Sequence, residues 1–385
     1  MLDIEEIVKR IEKRRSNVIS LLQEMVRTPS ITGQEKAMGD LVEREMRESG
    51  FRDVRIDELG NVIGEMGNGN GPKLLFNGHM DTVPVGDRSL WEVDPHSGEL
   101  KDGRVWGRGA SDMKGALAAM IAAAEALHTV NTKLNGSLIV TGVVLEENAA
   151  LEGTRYTIEK DEIKPDYALV GEATSLNISL GSRGRMELEV TTRGRTAHAS
   201  MPSKGVNAIL GMVELIRLIE EMKLPRHEFL GDTTQAITNM TCSPGKANVI
   251  PDLCTLTIDR RTVPGEIPEN VRKDFGDLFR RSSMPEMKTD MRVTKNAPPA
   301  YVSPDNIIVK TASEAVASVI GKNPELTKYK FGTDASYLST IARIPTVGFG
   351  PGDETMAHSP NENIPIDEVI VAAKVYAILA ARLLE

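Results

Sequence analysis

Cysteine is almost absent from this chain. Its 385 residues hold two, Cys242 and Cys254, with no CxxC spacing. That excludes a disulfide-stapled scaffold. The pair reads as free core thiols in a reducing compartment, a Cys242–Cys254 disulfide being the alternative. An excess of basic residues is missing too. Against 46 Lys and Arg stand 55 Asp and Glu, a net charge of -9, which argues against nucleic acid as the main partner. No stretch approaches the roughly 18 apolar residues that a membrane span needs. The opening stretch, MLDIEEIVKRIEKRRSNVIS, is charged and amphipathic and lacks the apolar region of a signal peptide. These absences lead to the expectation of a cytoplasmic protein with neither nucleic acid nor membrane as partner.

Composition is otherwise ordinary, 40% apolar and 26% charged, and the length suits two domains better than one core. Ile4, Ile7, Val8, Ile11, Val18, Ile19, Leu22 and Val26 recur at helical spacing. They predict one long helix, ended at Thr28-Pro29-Ser30 because the residue before proline disfavours the α region. A second helix is expected over residues 34–49, and short strands over 52–57 and 61–65. Residues 73–77, 137–145 and 167–170 are apolar runs that read as buried strands, with an alanine-rich helix at 116–128. Apolar strands alternating with helices indicate a mainly parallel sheet covered on both faces. From about Gly181 the pattern changes to half-buried alternation, with strands near 186–190, 236–242, 253–259 and 287–293 and helices near 206–216 and 271–279. The order β-α-β-β-α-β is the ferredoxin-like arrangement. The first pattern resumes after Pro298-Pro299, with a helix over 307–320, a strand over 346–349 and a closing helix over 367–384. The expected architecture is an α/β domain discontinuous over 1–180 and 296–385, with an inserted ferredoxin-like α+β domain at 181–295.

His79, Asp81, Asp112, Glu146, Glu147, Glu172 and His358 carry the chemistry. Most of them follow apolar runs, and in open α/β sheets the loops leaving the carboxyl ends of strands converge on one crevice. One such residue alone is usually a solvated or hydrogen-bonded group; the conjunction is what points to a site. So acidic a cluster repels itself unless a cation sits inside it. Oxygen and imidazole donors suit zinc, manganese or cobalt. Asp112 could bridge two metals, Glu147 and Glu172 would ligate one each, and His358 would complete the second. The Asp81 carboxylate, two residues from His79, could orient the ring. Two divalent cations, three ligand carboxylates and a hydroxide sum to neutrality, which a low-dielectric crevice favours. Glu146 is left over beside a ligand, and its natural role is general base on the activated water.

The segments HMDTVP, GRGASDMKGA, LEENAALEG, VGEAT, RTAHASMPSKGVNA, GTDAS and AHSPNE resemble, in this order and over nearly the whole chain, a family of co-catalytic zinc metallopeptidases and deacylases. It contains acetylornithine deacetylase, succinyl-diaminopimelate desuccinylase, aminoacylase and carboxypeptidase G. The resemblance implies His79 and Glu172 on one metal, Glu147 and His358 on the other, and Asp112 between them. It implies Asp81 as the orienter of His79, Glu146 as base, and a cis peptide at Asp112-Met113. The inserted domain would be a lid through which a homodimer forms, and His198 would reach the partner's site and polarise the substrate carbonyl. Arg261 matches a position that binds the substrate carboxylate, Arg260 being the competing choice. Asn248, Gly332 and Thr333 match further substrate-contacting positions.

The implied activity is hydrolysis of the amide bond of small N-acyl amino acids with two divalent ions, zinc first and cobalt or manganese after it. A dipeptidase or glutamate-carboxypeptidase activity is the alternative. Desuccinylases of this kind carry an arginine just after the GT motif. Here Ala335, Ser336 and Tyr337 follow, and the segment looks more like deacetylases and carboxypeptidase G. A two-metal phosphoesterase would want more basic residues than Lys114 in the motif loops. A non-catalytic scaffold would be expected to have lost ligands, and here none is missing.

Overall fold

The computed structural model describes residues 4–148, 151–283 and 285–385. The chain divides into two compact units, Met1–Ser182 with Ala300–Glu385, and Arg183–Pro299.

The first unit is built on a nine-stranded sheet. Its order is Asp53–Ile56, Val62–Gly67, Ser137–Val143, Lys73–His79, Tyr167–Val170, Thr346–Gly348, Ile178–Ser182, Ala300–Tyr301, with Leu326–Tyr329 also pairing Ile178–Ser182. The four strands from Ser137–Val143 to Thr346–Gly348 run parallel. The outer strands at either end add antiparallel pairs. Every residue of Ser137–Val143 is buried, as the centre of a sheet covered on both faces requires. Helix Gly115–Thr129 packs on helix Ile366–Leu384. Both are rich in buried alanine, for example Ala119, Ala123, Ala373 and Ala377, so the backbones approach closely. Larger apolar residues such as Leu117, Ile370 and Phe76 fill the remaining core, each contributing about 1.5–3 kcal/mol by burial.

The long N-terminal helix expected from the sequence is two helices, Ile4–Lys13 and Arg15–Arg27, broken at Arg14 (φ -98°, ψ 8°). The Arg14 amide still donates to the Arg10 and Ile11 carbonyls, so the chain bends without losing its ladder. Arg10 and Arg14 both meet Glu125 of helix Gly115–Thr129. Periodicity alone does not register such a bend. A small sheet of Glu99–Lys101, Arg104–Trp106 and Asn363–Pro365 is made of strands too short to show alternation.

The second unit is a four-stranded antiparallel sheet in the order Thr234–Ser243, Leu253–Thr262, Gly184–Arg193, Lys288–Ala297. Helices Ala208–Glu220 and Pro268–Phe279 pack with it around Met186, Leu188, Leu215, Leu256, Ile258 and Phe275. Strict alternation on Leu253–Thr262 buries Cys254, Leu256, Ile258, Arg260 and Thr262. The two edges differ. Lys288–Ala297 carries Lys288, Asp290, Arg292 and Lys295, whereas Thr234–Ser243 reads TQAITNMTCS, without a charge. Among the described residues no helix is long and apolar enough to cross a membrane.

Candidate metal centre

Parallel strands put their carboxyl ends on one edge, and that edge assembles the site. His79 closes strand Lys73–His79. Glu146 and Glu147 lie three and four residues beyond Val143, and Glu172 lies two beyond Val170. The two carboxylate oxygens of Asp112 face opposite ways. Oδ1 is 3.0 Å from His79 Nε2, which is itself 3.7 Å from Glu172 Oε1. Oδ2 is 3.3 Å from His358 Nε2, which is 2.8 Å from Glu147 Oε2. His79, Asp112 and Glu172 form one set with all ligand atoms within 4.8 Å of one another, and Asp112, Glu147 and His358 form another. Glu146 belongs to neither.

The electrostatics fit a cation. Burial works against charge on His79, but its hydrogen bond to Asp112 and the field of Glu172 hold its pKa well above the ordinary value. The contacts to Asp112 and Glu147 push His358 up to about 10. Burial, reinforced by Asp112, drives the Glu172 carboxyl well above its usual range. Burial likewise raises Glu146, with Glu172, Asp334 and Glu147 adding to the shift and His79 opposing it. Both imidazoles and the Glu146 and Glu172 carboxyls are thus shifted toward their protonated forms, whereas Asp112, despite its burial, is held below the usual range by His358 and His79. The cations of the motif loops are committed elsewhere. Lys114 is buried and donates to the Met25 and Thr28 carbonyls, each at 3.0 Å, where a helix ends. Arg108 is buried against Glu362 at 2.8 Å. Two facing His–carboxylate sets sharing one aspartate suit a pair of divalent ions.

Asp81 does something its sequence position did not announce. His79 Nδ1 meets the Asp81 backbone carbonyl at 2.9 Å, while the nearer carboxylate oxygen is 3.8 Å away. The carboxylate instead accepts from the amides of Glu146 and Glu147, both at 3.1 Å, and from Thr32 Oγ1 at 3.0 Å. Asp81 therefore holds two loops at once, fixing the His79 tautomer through its carbonyl and the Glu146-Glu147 turn through its side chain.

Three further residues escaped sequence reasoning. Glu362, fully buried, accepts from the amides of Gly109 (3.0 Å), Ser111 (2.9 Å) and Asp112 (3.0 Å) as well as from Arg108. Arg108 also donates to the His358 and Ser359 carbonyls, each at 3.3 Å. This buried pair ties the Asp112 loop to the His358 loop. His358 itself sits at φ 62°, in the left-handed region. Asp334 is buried, receives Asn77 Nδ2 at 2.8 Å on one oxygen, and leaves the other without a described partner. Glu362 lies in a quoted motif, AHSPNE, which was the available signal; Arg108 and Asp334 lie in GRGAS and GTDAS. The Asp112-Met113 peptide is cis. Beside Asp334, Thr333 is buried and Gly332 is exposed.

The other named residues lie in the second unit. His198 is exposed; its Nδ1 accepts from the Ser200 amide at 3.1 Å, which leaves the ring proton on Nε2. Its backbone bridges Val249, and the neighbouring Ala199 amide donates to the Asn248 carbonyl at 3.0 Å. Arg260 is buried and spent on Glu266 Oε1 (2.6 and 3.0 Å) and Gln235 (2.9 Å). Arg261 lies on the opposite face, part-exposed, with Asp259 at 2.8 Å.

The sequence profile of peptidase family M20/M25/M40 matches residues 75–382. The chain belongs to this family. Over 388 residues it is 30% identical to the uncharacterized protein YgeY of Escherichia coli K12, covering 97% of this chain and 96% of that one. Over 378 residues it is 30% identical to succinyl-diaminopimelate desuccinylase 2 of Ruegeria sp., covering 93% of each. Its fold is similar to aminopeptidase PepT of Bacillus cereus (TM-score 0.78, 23% identity, covering 96% of this chain and 99% of that one). It is also similar to a tripeptidase of Staphylococcus aureus (0.71, 25%, 96% and 99%) and to a dinuclear metal-binding M20 peptidase of Bacillus subtilis (0.74, 18%, 97% and 99%). This M20 protein is a hydrolase of amide or peptide bonds with candidate ligand groups for metal.

Proposed function

We propose that this M20 hydrolase removes the acyl group from small N-acyl amino acids, using two zinc ions, with cobalt and manganese serving the same donors. The observation that carries the reading is Asp112, whose two oxygens face two separate His–Glu pairs. His79 and Glu172 would hold one ion, Glu147 and His358 the other, and Asp112 would bridge them. When bound, such a pair lowers the pKa of a water and polarises the scissile carbonyl.

The chain's own groups do the rest. Glu146, outside both ligand sets, takes the proton of the attacking water and returns it to the leaving amine. Asp81 keeps Glu146 and Glu147 in place through their amides. His198, with its proton on Nε2, donates to the substrate carbonyl oxygen, and it does so from the partner subunit of a homodimer. Support for that dimer is the uncharged edge strand Thr234–Ser243, with Ile237 and Met240 exposed; an edge left free of charges is open to pairing with another chain. Arg261 binds the substrate carboxylate, since Arg260 is committed to Glu266. Asn248, Gly332 and Thr333 complete the substrate contacts. With Ala335, Ser336 and Tyr337 after the GT motif and no arginine, a succinyl carboxylate loses its partner there, and N-acetyl substrates are preferred. The likeness to a tripeptidase at 25% identity supports a second reading, an exopeptidase of di- or tripeptides.

A panel of N-acetyl and N-succinyl amino acids, di- and tripeptides and phosphomonoesters separates these readings. Activity on an N-acyl amino acid should vanish with chelator and return with zinc or cobalt. Full activity after verified metal removal, or turnover of phosphomonoesters alone, would overturn the proposal.

A further inference from the structure

The chain's two cysteines, twelve positions apart, meet face to face in the second unit. Cys242 lies near the end of strand Thr234–Ser243, Cys254 near the start of strand Leu253–Thr262, and the two are direct partners in the antiparallel register. Residues so opposed project to the same side, their Cβ atoms about 4.5–5.5 Å apart and closer in the non-hydrogen-bonded kind of pair, against the roughly 3.5–4.5 Å of a disulfide. Their Cα spacing, about 4.5 or 5.5 Å in the two kinds of antiparallel pair, falls within the roughly 4.4–6.8 Å that a disulfide spans. The sulfurs are 2.6 Å apart. Cys254 is buried and Cys242 half-buried, so Cys242 is the less enclosed of the two.

We propose that Cys242 and Cys254 are a modification site, a dithiol that a peroxide converts into a cross-strand disulfide. Peroxide reaches Cys242 first, because burial pushes the Cys254 thiol up to about 12 and keeps it protonated. One O–O bond breaks, giving the sulfenic acid of Cys242 and one water. The Cys254 sulfur then attacks the Cys242 sulfur; the S–O bond breaks as the S–S bond forms, and the departing hydroxide leaves as water with the Cys254 proton. Two thiols lose two electrons and two protons, and one hydrogen peroxide becomes two waters.

The position of the pair gives the modification a consequence. Between the two cysteines runs the loop that carries Asn248. That loop is stitched to the His198 segment by the bonds from the Ala199 amide to Asn248 (3.0 Å) and from the Ile250 amide to Ala197 (2.8 Å), and to Gly194 by its bond to Asp252 (2.8 Å). A covalent link across the loop's base narrows the conformations open to it and so restrains the segment that holds His198. An effect on turnover rests on the function proposed above; the linkage itself does not.

The full wild-type chain, reduced with dithiothreitol, desalted and exposed to hydrogen peroxide, tests this. Thiols titrated under denaturing conditions should fall from two to none per chain. The intact chain should lose the mass of two hydrogens, a peptide map should link Cys242 to Cys254, and dithiothreitol should reverse all three changes. Amide exchange across residues 243–252 should slow in the oxidised chain. Cysteines that remain alkylatable, gain oxygen as sulfinic acids, or link between chains would overturn the proposal. Cys242→Ser and Cys254→Ser keep the side-chain size and cannot link, so neither should show the mass loss or the slowed exchange. A turnover change on oxidation in wild type that is absent from Cys242→Ser supports the loop's part. A reduced enzyme inactive on every substrate of the panel sinks the proposed function and leaves the thiol result standing.

Discussion

Glu146 and Glu147 are adjacent in sequence and opposite in role. Glu147 is 2.8 Å from His358 and belongs to a ligand set; Glu146 belongs to none. Burial and the neighbouring carboxylates hold the Glu146 carboxyl well above its usual range, with His79 opposing them. Glu146→Gln preserves size and removes the base. It should bind metal as wild type does, by elemental analysis, while kcat falls on the order of 10²–10⁴-fold; near-normal kcat would reassign Glu146 to structure. The ligands were legible as acids and histidines following apolar strands, a pattern of residue type and place. Asp81 was legible as a participant but not in its manner, because its carboxylate works through backbone amides that no side-chain pattern records. Glu362 and Arg108, which tie loops together, and Asp334, which meets the Asn77 side chain inside strand Lys73–His79, were hidden because their partners are hundreds of positions away, as with Glu362 and Gly109.

At the scale of elements, the loop from Gly107 to Gly115 shows how a short turn is made rigid. It carries Asp112, and three of its amides, those of Gly109, Ser111 and Asp112, converge on one buried carboxylate, that of Glu362. Glu362→Gln would turn an amide N–H toward backbone N–H groups and leave a buried donor unpaired. Metal affinity, measured by competition with a chromogenic chelator, should fall about 10–100-fold, with the far-ultraviolet circular dichroism unchanged. Unaltered affinity would show that Asp112 holds its place without the pin. Long strands and helices were readable because their burial repeats over many residues: Tyr167–Val170 and Ile307–Ile320 stand where periodicity put them. The bend at Arg14 and the three-residue strands at Glu99–Lys101 and Asn363–Pro365 were not, since a period needs more residues than they have. Ile178–Ser182, given in part to the insert from its sequence, pairs with Thr346–Gly348 in the first unit's sheet, a long-range partner that local pattern does not reveal.

For the whole molecule, every residue of the two ligand sets lies in the unit formed by Met1–Ser182 and Ala300–Glu385, and His198 lies in the other. A homodimer exchanging lids makes a specific demand. His198→Ala and Glu146→Gln should each be nearly inactive alone. Mixed under subunit exchange, the subunit with the alanine keeps its base and receives an intact histidine, so one working site per heterodimer should appear. If His198 served its own subunit, each site would retain one lesion. No recovery of activity after exchange has been verified by mass spectrometry would rule out the crossed arrangement.

The chain leaves the first sheet at Ser182 and returns at Ala300, and these two residues face each other across one antiparallel register. In genetic terms the insert is a cassette with adjoining ends. A two-residue Asn-Gly turn is enough to join antiparallel neighbours. A gene in which that turn replaces codons 183–299 should therefore encode a self-sufficient fold that takes up metal yet hydrolyses nothing. Its circular dichroism and metal content would show whether the first unit stands without the second.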